Sequence, residues 1–298
     1  MTAKLNHNDA FDGAVRLSDW GLIRASGEEA RSFLHGQLTQ DVLHLEPGIA
    51  RLAGYCSAKG RLLASFVMWL DANGDVLLAC SADVLPATLK RLSMFVLRAK
   101  CKLSDATAER PLHGLMGSAV PAGAAWSVTD HALVRLPAGA GLPRALWLGE
   151  PPAPLLDIEL WRWLEVQSGV ARVVGPTVEK FVPQMVNLEL VGGVNFQKGC
   201  YPGQEVVARS QYRGTLKRRS FVLTSDAPVQ AGQEVFDPAD PDQPAGQVVL
   251  AAAPAGLTPV ALVELKIAAS TGALHAGAPD GPALHLAALP YAIPTEAA

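Results

Sequence analysis

Residues Arg51 to Cys80 read RLAGYCSAKGRLLASFVMWLDANGDVLLAC. Three strand-like apolar runs are separated here by Ala58-Lys59-Gly60 and by Asp71-Ala72-Asn73-Gly74. Both separators are typical of hairpin turns, because Asn-Gly readily adopts the positive φ values that such turns require. The stretch therefore predicts a three-strand meander.

Strand and helix patterns flank the meander on both sides. LSDWGLIRAS (Leu17–Ser26) predicts a strand, and Ser26-Gly27-Glu28-Glu29 has the capping-box pattern of a starting helix. DVLPATLKRLSMFVL (Asp83–Leu97) predicts a helix that runs into a strand at RAKCKLSD. A helix, a meander, a second helix and a further strand together indicate an α+β unit with a mixed or antiparallel sheet.

The rest of the chain changes character twice. Residues 104–154 are rich in Ala, Gly and Pro and predict weak strands, and LLDIELWRWLEVQSG (Leu155–Gly169) predicts a helix that ends at its glycine. From about Ser220, short alternating runs divided by Pro, Gly and Asp predict a small β-barrel or sandwich. We therefore expect an α+β region over residues 1–219, in two subdomains, and a β-barrel domain over residues 220–298.

The composition indicates a globular protein of the cytoplasm. Hydrophobic residues make up 49% of the 298 positions, and the longest apolar runs are about half the length of a membrane-spanning helix. The polar N-terminus lacks the apolar core of a signal peptide. The four cysteines form no CxxC and the seven histidines no HxxxH pair, so neither a disulfide framework nor a metal site is expected.

The segment Lys198 to Glu205 reads KGCYPGQE and places Cys200 between a flexible glycine and a turn. A helix predicted over GQEVVARSQYRG puts this cysteine just ahead of a helix N-terminus, with Lys198 close by. Both features favour the thiolate form, so the segment is typical of a loop that presents a sulfur. The alternative is that the glycines serve a tight turn and the cysteine fills a gap.

Charge is distributed unevenly along the chain, whose net charge is −3. The segment from Lys198 to Arg219 carries six basic residues and one acid. The basic residues are Lys198, Arg209, Arg213, Lys217, Arg218 and Arg219. This excess predicts an anionic ligand or partner at one place, and the alternative is a solvated helix face. Nucleic-acid binding would rest on this patch alone, because RRM and KH signatures are absent from the sequence.

KGCYPGQE resembles the K-G-C-[YF]-x-G-Q-E signature of the YgfZ family, folate-binding relatives of the glycine cleavage T-protein. Flanking segments resemble the family as well: PQMVNLELVGGVNFQ, VARSQYRGTLKRR, SDWGLIRASGEEARSFLHGQLTQDV and YCSAKGRLLASF. The resemblance implies a T-protein-like α+β fold, with an N-terminal folate-binding region and a C-terminal β-barrel. It also implies tetrahydrofolate binding and support of iron–sulfur enzymes, including tRNA-modifying methylthiotransferases.

The resemblance also assigns candidate site residues. Trp20 and Trp161 match the folate-contacting tryptophans, whose flat rings can stack on a pterin; Trp163 competes for the second position, and ordinary core packing is the alternative for each. Cys200 is the functional thiol, with Lys198 beside it. Further folate-binding candidates follow on the predicted helix: Glu205, Arg209 and Arg213. The two arginines would receive the glutamate tail of folate or an acidic protein surface.

An enzymatic alternative follows from the same resemblance. The T-protein carries an Asp-Asp pair on the strand that aligns with KGRLLASFVMW, where this chain has Ala64-Ser65. Aminomethyl transfer is therefore disfavoured, although a one-carbon transferase with relocated groups and a direct tRNA-binding protein remain alternatives. We prefer a folate-binding accessory protein. Cys200 alone could not hold an iron–sulfur cluster, because a cluster needs roughly four protein ligands.

Overall fold

Strands and helices alternate through the N-terminal part of the chain. The structure is a computed structural model and describes residues 9–152, 155–212 and 216–294. In chain order its first elements are β1 (Gly13–Arg16), β2 (Trp20–Ser26), α1 (Ala30–His35), β3 (Arg51–Cys56), β4 (Leu62–Leu70), β5 (Val76–Ser81), α2 (Leu85–Val96) and β6 (Lys102–Asp105). They are followed by β7 (His113–Met116), β8 (Val128–Thr129), β9 (Leu133–Gly139), β10 (Leu142–Trp147), α3 (Ile158–Gln167) and α4 (Gln204–Tyr212). The remaining strands follow α4 and form a barrel.

The predicted meander is confirmed as the centre of a five-stranded sheet. Strands β3, β4 and β5 pair antiparallel in sequence order, and β2 and β6 extend the sheet beyond β5. Both predicted turns contain a glycine at positive φ, which is +70° at Gly60 and +82° at Gly74. Glycine adopts this conformation without steric cost, so the turn residues read from the sequence fix the connections between the strands.

The sheet separates two apolar cores. On one face, residues such as Ile23 and Phe66 pack against Leu34 of α1 and Leu92 of α2. On the other face, residues such as Trp20, Val67 and Ala79 belong to a larger core that includes α3 and the second sheet. Alternate residues of a strand point to opposite faces, which explains why strands covered on both faces are apolar throughout.

A second five-stranded sheet, in the order β1-β7-β10-β9-β8, accounts for the weak strands expected in residues 104–154. Helix α3 begins after Asp157, whose side chain accepts a hydrogen bond from the Glu159 amide, and Gly169 beyond its end has φ +66°. Trp161 of α3 packs on the backbone of β7, where a Cβ at Gly114 would lie 2.4 Å from the indole ring. Glycine at this position therefore lets the helix approach the sheet.

The C-terminal strands close into a six-stranded barrel in the order β11-β14-β13-β12-β15-β16. They are β11 (Arg218–Ser225), β12 (Glu234–Phe236), β13 (Gly246–Ala252), β14 (Val260–Lys266), β15 (Leu274–Ala276) and β16 (Ala283–Leu286). The barrel has its own apolar core, which includes Leu223, Val248 and Val263. The expected fold class, an α+β region followed by a small β-barrel, is confirmed; the division at residues 219 and 220 remains a proposal.

A buried ion pair joins the barrel to the preceding region. Arg219, at the start of β11, forms a salt bridge with Glu189 and donates a hydrogen bond to the Gln184 carbonyl at 3.0 Å. Burial raises the pKa of Glu189, and the nearby Arg219 opposes that rise. A buried pair of this kind tolerates the loss of one partner poorly, because the remaining charge is left without compensation.

The predicted capping box at the start of α1 is wrong. Ser26 lies within β2, where it pairs with Lys102, and the helix begins only after Glu29. The Glu29 carboxylate instead accepts a hydrogen bond from the backbone N–H of Lys100 at 2.6 Å. Pairing between β2 and β6 extends the strand through the serine, so the cap that the local sequence favours does not form.

Substitution of Arg219 by Met should destabilise the protein by about 3–5 kcal/mol, because Glu189 then remains buried without its partner. Urea unfolding followed by circular dichroism measures this loss. The double variant Arg219→Met/Glu189→Leu should recover much of it, and Lys217→Met, at an exposed neighbour, should change stability by less than about 0.5 kcal/mol. Equal stability of Arg219→Met and the wild type would show that this ion pair does not stabilise the fold.

Candidate functional site

Cys200 is the exposed cysteine of the chain. It lies in the segment Lys198–Glu205, which we call the thiol loop. Cys56 and Cys80 are buried, which raises the pKa of each thiol to about 12, and burial also raises the pKa of the half-buried Cys101. The thiolate is the reactive form, so these three cysteines are poor nucleophiles at neutral pH.

The thiol loop lies directly on the turn between β3 and β4. Gly203 has φ +79°, and a Cβ at this position would be 2.4 Å from the Ser57 carbonyl oxygen. Val206, in the first turn of α4, packs on Gly60 so closely that a Cβ there would lie 2.8 Å from the Val206 Cβ. Two segments that each resemble the same family in sequence are therefore in contact in the fold.

Lys198 fixes the start of the loop. Its ammonium donates hydrogen bonds to the carbonyl oxygens of His35 and of Leu38, the latter at 2.7 Å, and lies 5.0 Å from the centre of the Tyr201 ring. Burial lowers the pKa of Lys198 to about 8, while the nearby Asp41 and Cys200 oppose that change. The ammonium donors are thus engaged by carbonyls at the end of α1, and a role of Lys198 toward the thiol stays a prediction.

A histidine and an aspartate that the sequence reasoning missed lie beside the loop. His35 Nδ1 is 3.1 Å from Asp41 Oδ1, and Asp41 Oδ2 is 2.7 Å from His44 Nδ1. The Nε2 atom of His35 faces Gly199, since a Cβ there would lie 3.6 Å away. Burial, together with the charge of Lys198, lowers the pKa of His35. No spacing motif marks these residues, because the thiol loop reaches them through tertiary contacts.

Helix α4 follows the loop as predicted. Glu205 in its first turn and Arg209 in its last turn are both exposed, and Arg213 lies outside the described residues. The predicted basic patch is dispersed by pairing. Lys198 is buried, Arg218 bonds Glu264 at 3.0 Å, and Arg219 bonds Glu189. Of the basic residues in the described part of this segment, Arg209 and Lys217 are exposed, so the surface carries less positive charge than the sequence suggests.

The two candidate tryptophans are both buried under arginines. Trp20 is 5% exposed and lies 4.7 Å from the Arg172 guanidinium, whereas Trp161 is fully buried with Arg144 at 5.4 Å from its ring. Neither indole N–H has a hydrogen-bond partner. Trp163, the competing candidate, donates to the Thr258 carbonyl at 3.0 Å and so contacts the barrel side of the molecule.

Arg172 and its hydrogen-bond partners form a second cluster that the sequence patterns did not reveal. It forms two hydrogen bonds to the Glu165 carboxylate, at 2.8 and 2.9 Å, and one to Ser81 Oγ at 2.8 Å. Its third partner is Asp19, next to Trp20 in the chain, whose Oδ2 atom accepts a hydrogen bond at 3.2 Å. The available signal was a charged residue within the apolar run VARVVG, where a buried arginine requires an acidic partner.

Ser65 of β4 is buried and accepts a hydrogen bond from the Val173 amide at 2.9 Å. It also lines a void of about 20 Å³ together with Trp20, Arg144 and Glu165. Such a void holds one water molecule. Glu165 is the acid at this place, and both of its oxygens are bonded to Arg172.

A larger cleft of about 700 Å³ opens between the α+β region and the barrel. Its polar wall includes Asp19, Arg162 and Arg172, and its barrel wall includes Val229 and Leu250. The Asp19 Oδ1 atom is buried without a hydrogen-bond partner. A cleft of this size and mixed lining suits a drug-sized ligand. It is not lined by the thiol loop or Trp161, so the structure separates the thiol from the cleft.

Two further properties of the described ranges bear on function. Their histidine, cysteine and acidic side chains form no cluster of three or more that could hold a metal ion. None of the helices within these ranges combines the length and apolar character needed to cross a membrane.

Comparison with known proteins identifies relatives over most of the chain, although no protein-family model matches it. A protein of Edwardsiella ictaluri named tRNA-modifying protein YgfZ is 33% identical over 243 residues, covering 72% of this chain and 71% of that protein. Its namesake from Sodalis glossinidius is 30% identical over 310 residues, covering 94% of this chain and 93% of that protein.

The fold is similar to the crystal structure of glycine cleavage system aminomethyltransferase T from Bartonella henselae. The TM-score is 0.74 at 17% identity, and the match covers 95% of this chain and 88% of the other. At this identity the likeness concerns the fold. The expected T-protein-like architecture is thereby confirmed.

Iodoacetamide should modify Cys200 before the other three cysteines at neutral pH, because Cys200 is exposed while burial raises the thiol pKa of Cys56 and Cys80 to about 12. Peptide mass spectrometry at successive times gives the four rates. Lys198→Met should slow the alkylation of Cys200, because a nearby ammonium favours the reactive thiolate, and should leave the alkylation rate of Cys101 unaltered. Modification of Cys101 as fast as Cys200 would contradict the expectation.

Proposed function

The chain belongs to the YgfZ family of tRNA-modifying proteins, and we propose that it is a tetrahydrofolate-binding accessory protein that supports iron–sulfur enzymes. Its clients would include tRNA-modifying methylthiotransferases, and Cys200 would be the residue that acts on them. The exposure of Cys200 on a loop fixed to the folded core carries this proposal. A thiol in this position is accessible to another protein.

The fixed geometry of the thiol loop supports a role in presenting the sulfur. Gly203 has room for no side chain against Ser57, and the Lys198 ammonium is bound by two backbone carbonyls. Both features limit the motion of the residues on either side of Cys200. A preorganised loop loses less conformational entropy when a partner binds, which favours association.

The cleft beside Trp20 is the proposed folate site. Its volume of about 700 Å³ suits a ligand of this size, and the unpartnered Asp19 Oδ1 can accept hydrogen bonds from the amino-pyrimidine edge of a pterin. Arg162 and Arg172 are paired with Asp19, Glu159 and Glu165, so the glutamate tail would compete with these carboxylates for them. Neither tryptophan lines the cleft. Trp161 is fully buried, whereas Trp20 follows Asp19 in the chain and lies under Arg172, so Trp20 is the candidate for contact through that arginine. Glu205 and Arg209 are exposed on α4 and remain candidates for contact with the tail or with the client.

The cytoplasm is the proposed compartment, since all four cysteines are free. Direct tRNA binding receives no support from the basic segment, of which Arg218 and Arg219 are engaged by carboxylates. Involvement in tRNA modification is then indirect, through the client enzymes.

Tetrahydrofolate should quench the tryptophan fluorescence of the wild-type protein. Trp20→Phe should weaken binding measurably but by less than about 1.5 kcal/mol, the upper contribution of a stacked aromatic pair, because phenylalanine keeps a smaller aromatic ring at this position. Phenylalanine is preferred to alanine because truncating a buried tryptophan costs about 3–5 kcal/mol of stability. Trp147→Phe is the matched control and should bind as the wild type does. Undiminished affinity in Trp20→Phe would assign the folate site to another part of the protein.

Cys200→Ser should fold normally, because the exposed loop loses only a sulfur atom. In cells that lack the native protein, this variant should fail to restore methylthio-modified tRNA, whereas Cys101→Ser should restore it. Liquid chromatography with mass spectrometry of tRNA nucleosides measures the outcome. Full restoration by Cys200→Ser would make the cysteine a structural residue.

Aminomethyl transfer is the alternative function, favoured by the likeness in fold to aminomethyltransferase T. We expect the purified protein not to form methylene-tetrahydrofolate from an aminomethyl-loaded lipoyl carrier, because Ser65 replaces an acid and Glu165 is engaged by Arg172. Turnover above about one per second, in the range of ordinary enzymes, would overturn the accessory role.

A further inference from the structure

The C-terminal end of α2 exposes three large apolar side chains. Met94 is 65% exposed, Phe95 is 47% exposed and Leu97 is 87% exposed. We call these three residues the α2 tip. The opposite face of the helix buries Leu85 and Leu92 against the sheet, so the tip is not needed for the packing of α2. Contiguous exposed apolar side chains commonly mark an interaction surface.

Leu97 has a backbone conformation that its own side chain disfavours. Its φ is +46° and its ψ −104°, and the Ala99 amide donates a hydrogen bond to the Val96 carbonyl at 2.8 Å. These values describe a tight turn with Leu97 at the position where glycine is strongly preferred. Folding alone would favour glycine here, and the chain has an exposed leucine instead. A strained residue that presents an apolar group to solvent is typical of a functional position.

Positive charge surrounds the α2 tip. Lys90, Arg91, Arg98 and Lys102 are exposed, and none of them forms an ion pair with a carboxylate in the ranges that the structure describes. Lys100 differs, since it bonds Glu28 at 2.9 Å. Arg91 lies over the Phe95 ring, 5.9 Å from its centre. An apolar tip whose neighbouring cations have no carboxylate partner is complementary to an apolar pocket with a rim of carboxylates.

The α2 tip and the thiol loop are attached to opposite ends of α1. The turn after the tip bonds Glu29, ahead of α1, through the Lys100 amide, and Lys198 bonds the His35 carbonyl at the other end. Helix α1 comprises six residues, a length of about 9 Å. The α2 tip and the thiol loop are thus linked through a helix that is short against the roughly 30 Å span of an ordinary protein interface.

We propose that the α2 tip is the docking surface for the protein on which Cys200 acts, and that this protein offers an apolar pocket with an acidic rim. The inference rests on the proposed function, because it names the contact surface of the same iron–sulfur client. A protein is favoured over an anionic membrane because α1 connects the tip to the thiol loop.

The test measures binding to a purified, cluster-loaded tRNA methylthiotransferase by isothermal titration calorimetry. Met94→Ser/Leu97→Gly should weaken binding by about tenfold or more, as expected for apolar anchors at an interface. Its melting temperature should equal or exceed that of the wild type, because glycine relieves the positive φ. Leu286→Ser, which replaces a leucine 49% exposed on the barrel, is the matched control and should bind normally.

Charge provides a second measurement. Arg98→Glu should also weaken binding, and wild-type affinity should fall as ionic strength rises from about 0.05 to about 0.3 M, because the rim charges become screened. Unchanged affinity in Met94→Ser/Leu97→Gly, or no binding by the wild type, would overturn the proposal. A membrane role would also overturn it. In that case the wild type, but not the double variant, would cosediment with vesicles of about 30% phosphatidylglycerol, and both proteins would bind the client equally.

The cell assay separates this proposal from the function on which it rests. If the wild type restores methylthio-modified tRNA and Met94→Ser/Leu97→Gly does so equally well, the docking surface is wrong and the accessory role stands. If the wild type restores nothing, the accessory role itself fails. Tetrahydrofolate binding should be the same in both proteins, because neither substituted residue lines the cleft.

Discussion

The buried pair of Arg172 and Glu165 is the interaction on which the centre of the molecule depends. Burial alone would lower the pKa of Arg172, but Glu165 and Asp19 raise it above its ordinary value, so the guanidinium is charged. Its donors join α3 to β5 through Ser81 and to the start of β2 through Asp19. Removal of either member would leave a charge buried without compensation. The same pair forms part of the wall of the cleft and covers the Trp20 ring.

The architecture keeps two chemical regions apart while attaching both to one sheet. Trp20 lies on the face shared with α3, next to the cleft at the barrel, whereas the thiol loop lies on the turn that connects β3 and β4. A ligand in the cleft therefore does not need to touch Cys200. Neither the cleft nor the small void beside Trp20 is lined by the thiol loop.

Several features of the site depend on groups that have no local signature. His35 and Asp41 lie beside the thiol loop although they are distant from it in the sequence. Lys198 likewise bonds the Leu38 carbonyl just after α1, 160 residues earlier in the chain. Charge counting also misled, since Arg219 belongs to a buried ion pair. Sequence composition records how many charges a segment has, whereas pairing depends on what the fold places opposite them.

Local sequence patterns were enough to predict the elements and their order. Turn residues such as Gly60 and Gly74, apolar alternation and the helix ending at Gly169 depend on local sterics and periodicity, so the meander, the helices and the barrel were predictable, as was the exposure of Cys200. The partners of Arg172 and Lys198 and the failure of the cap at Ser26 depend on contacts that form only in the folded chain. In each case a contact between residues distant in the chain outweighs or adds to the local preference, and local sequence does not show which residues will meet.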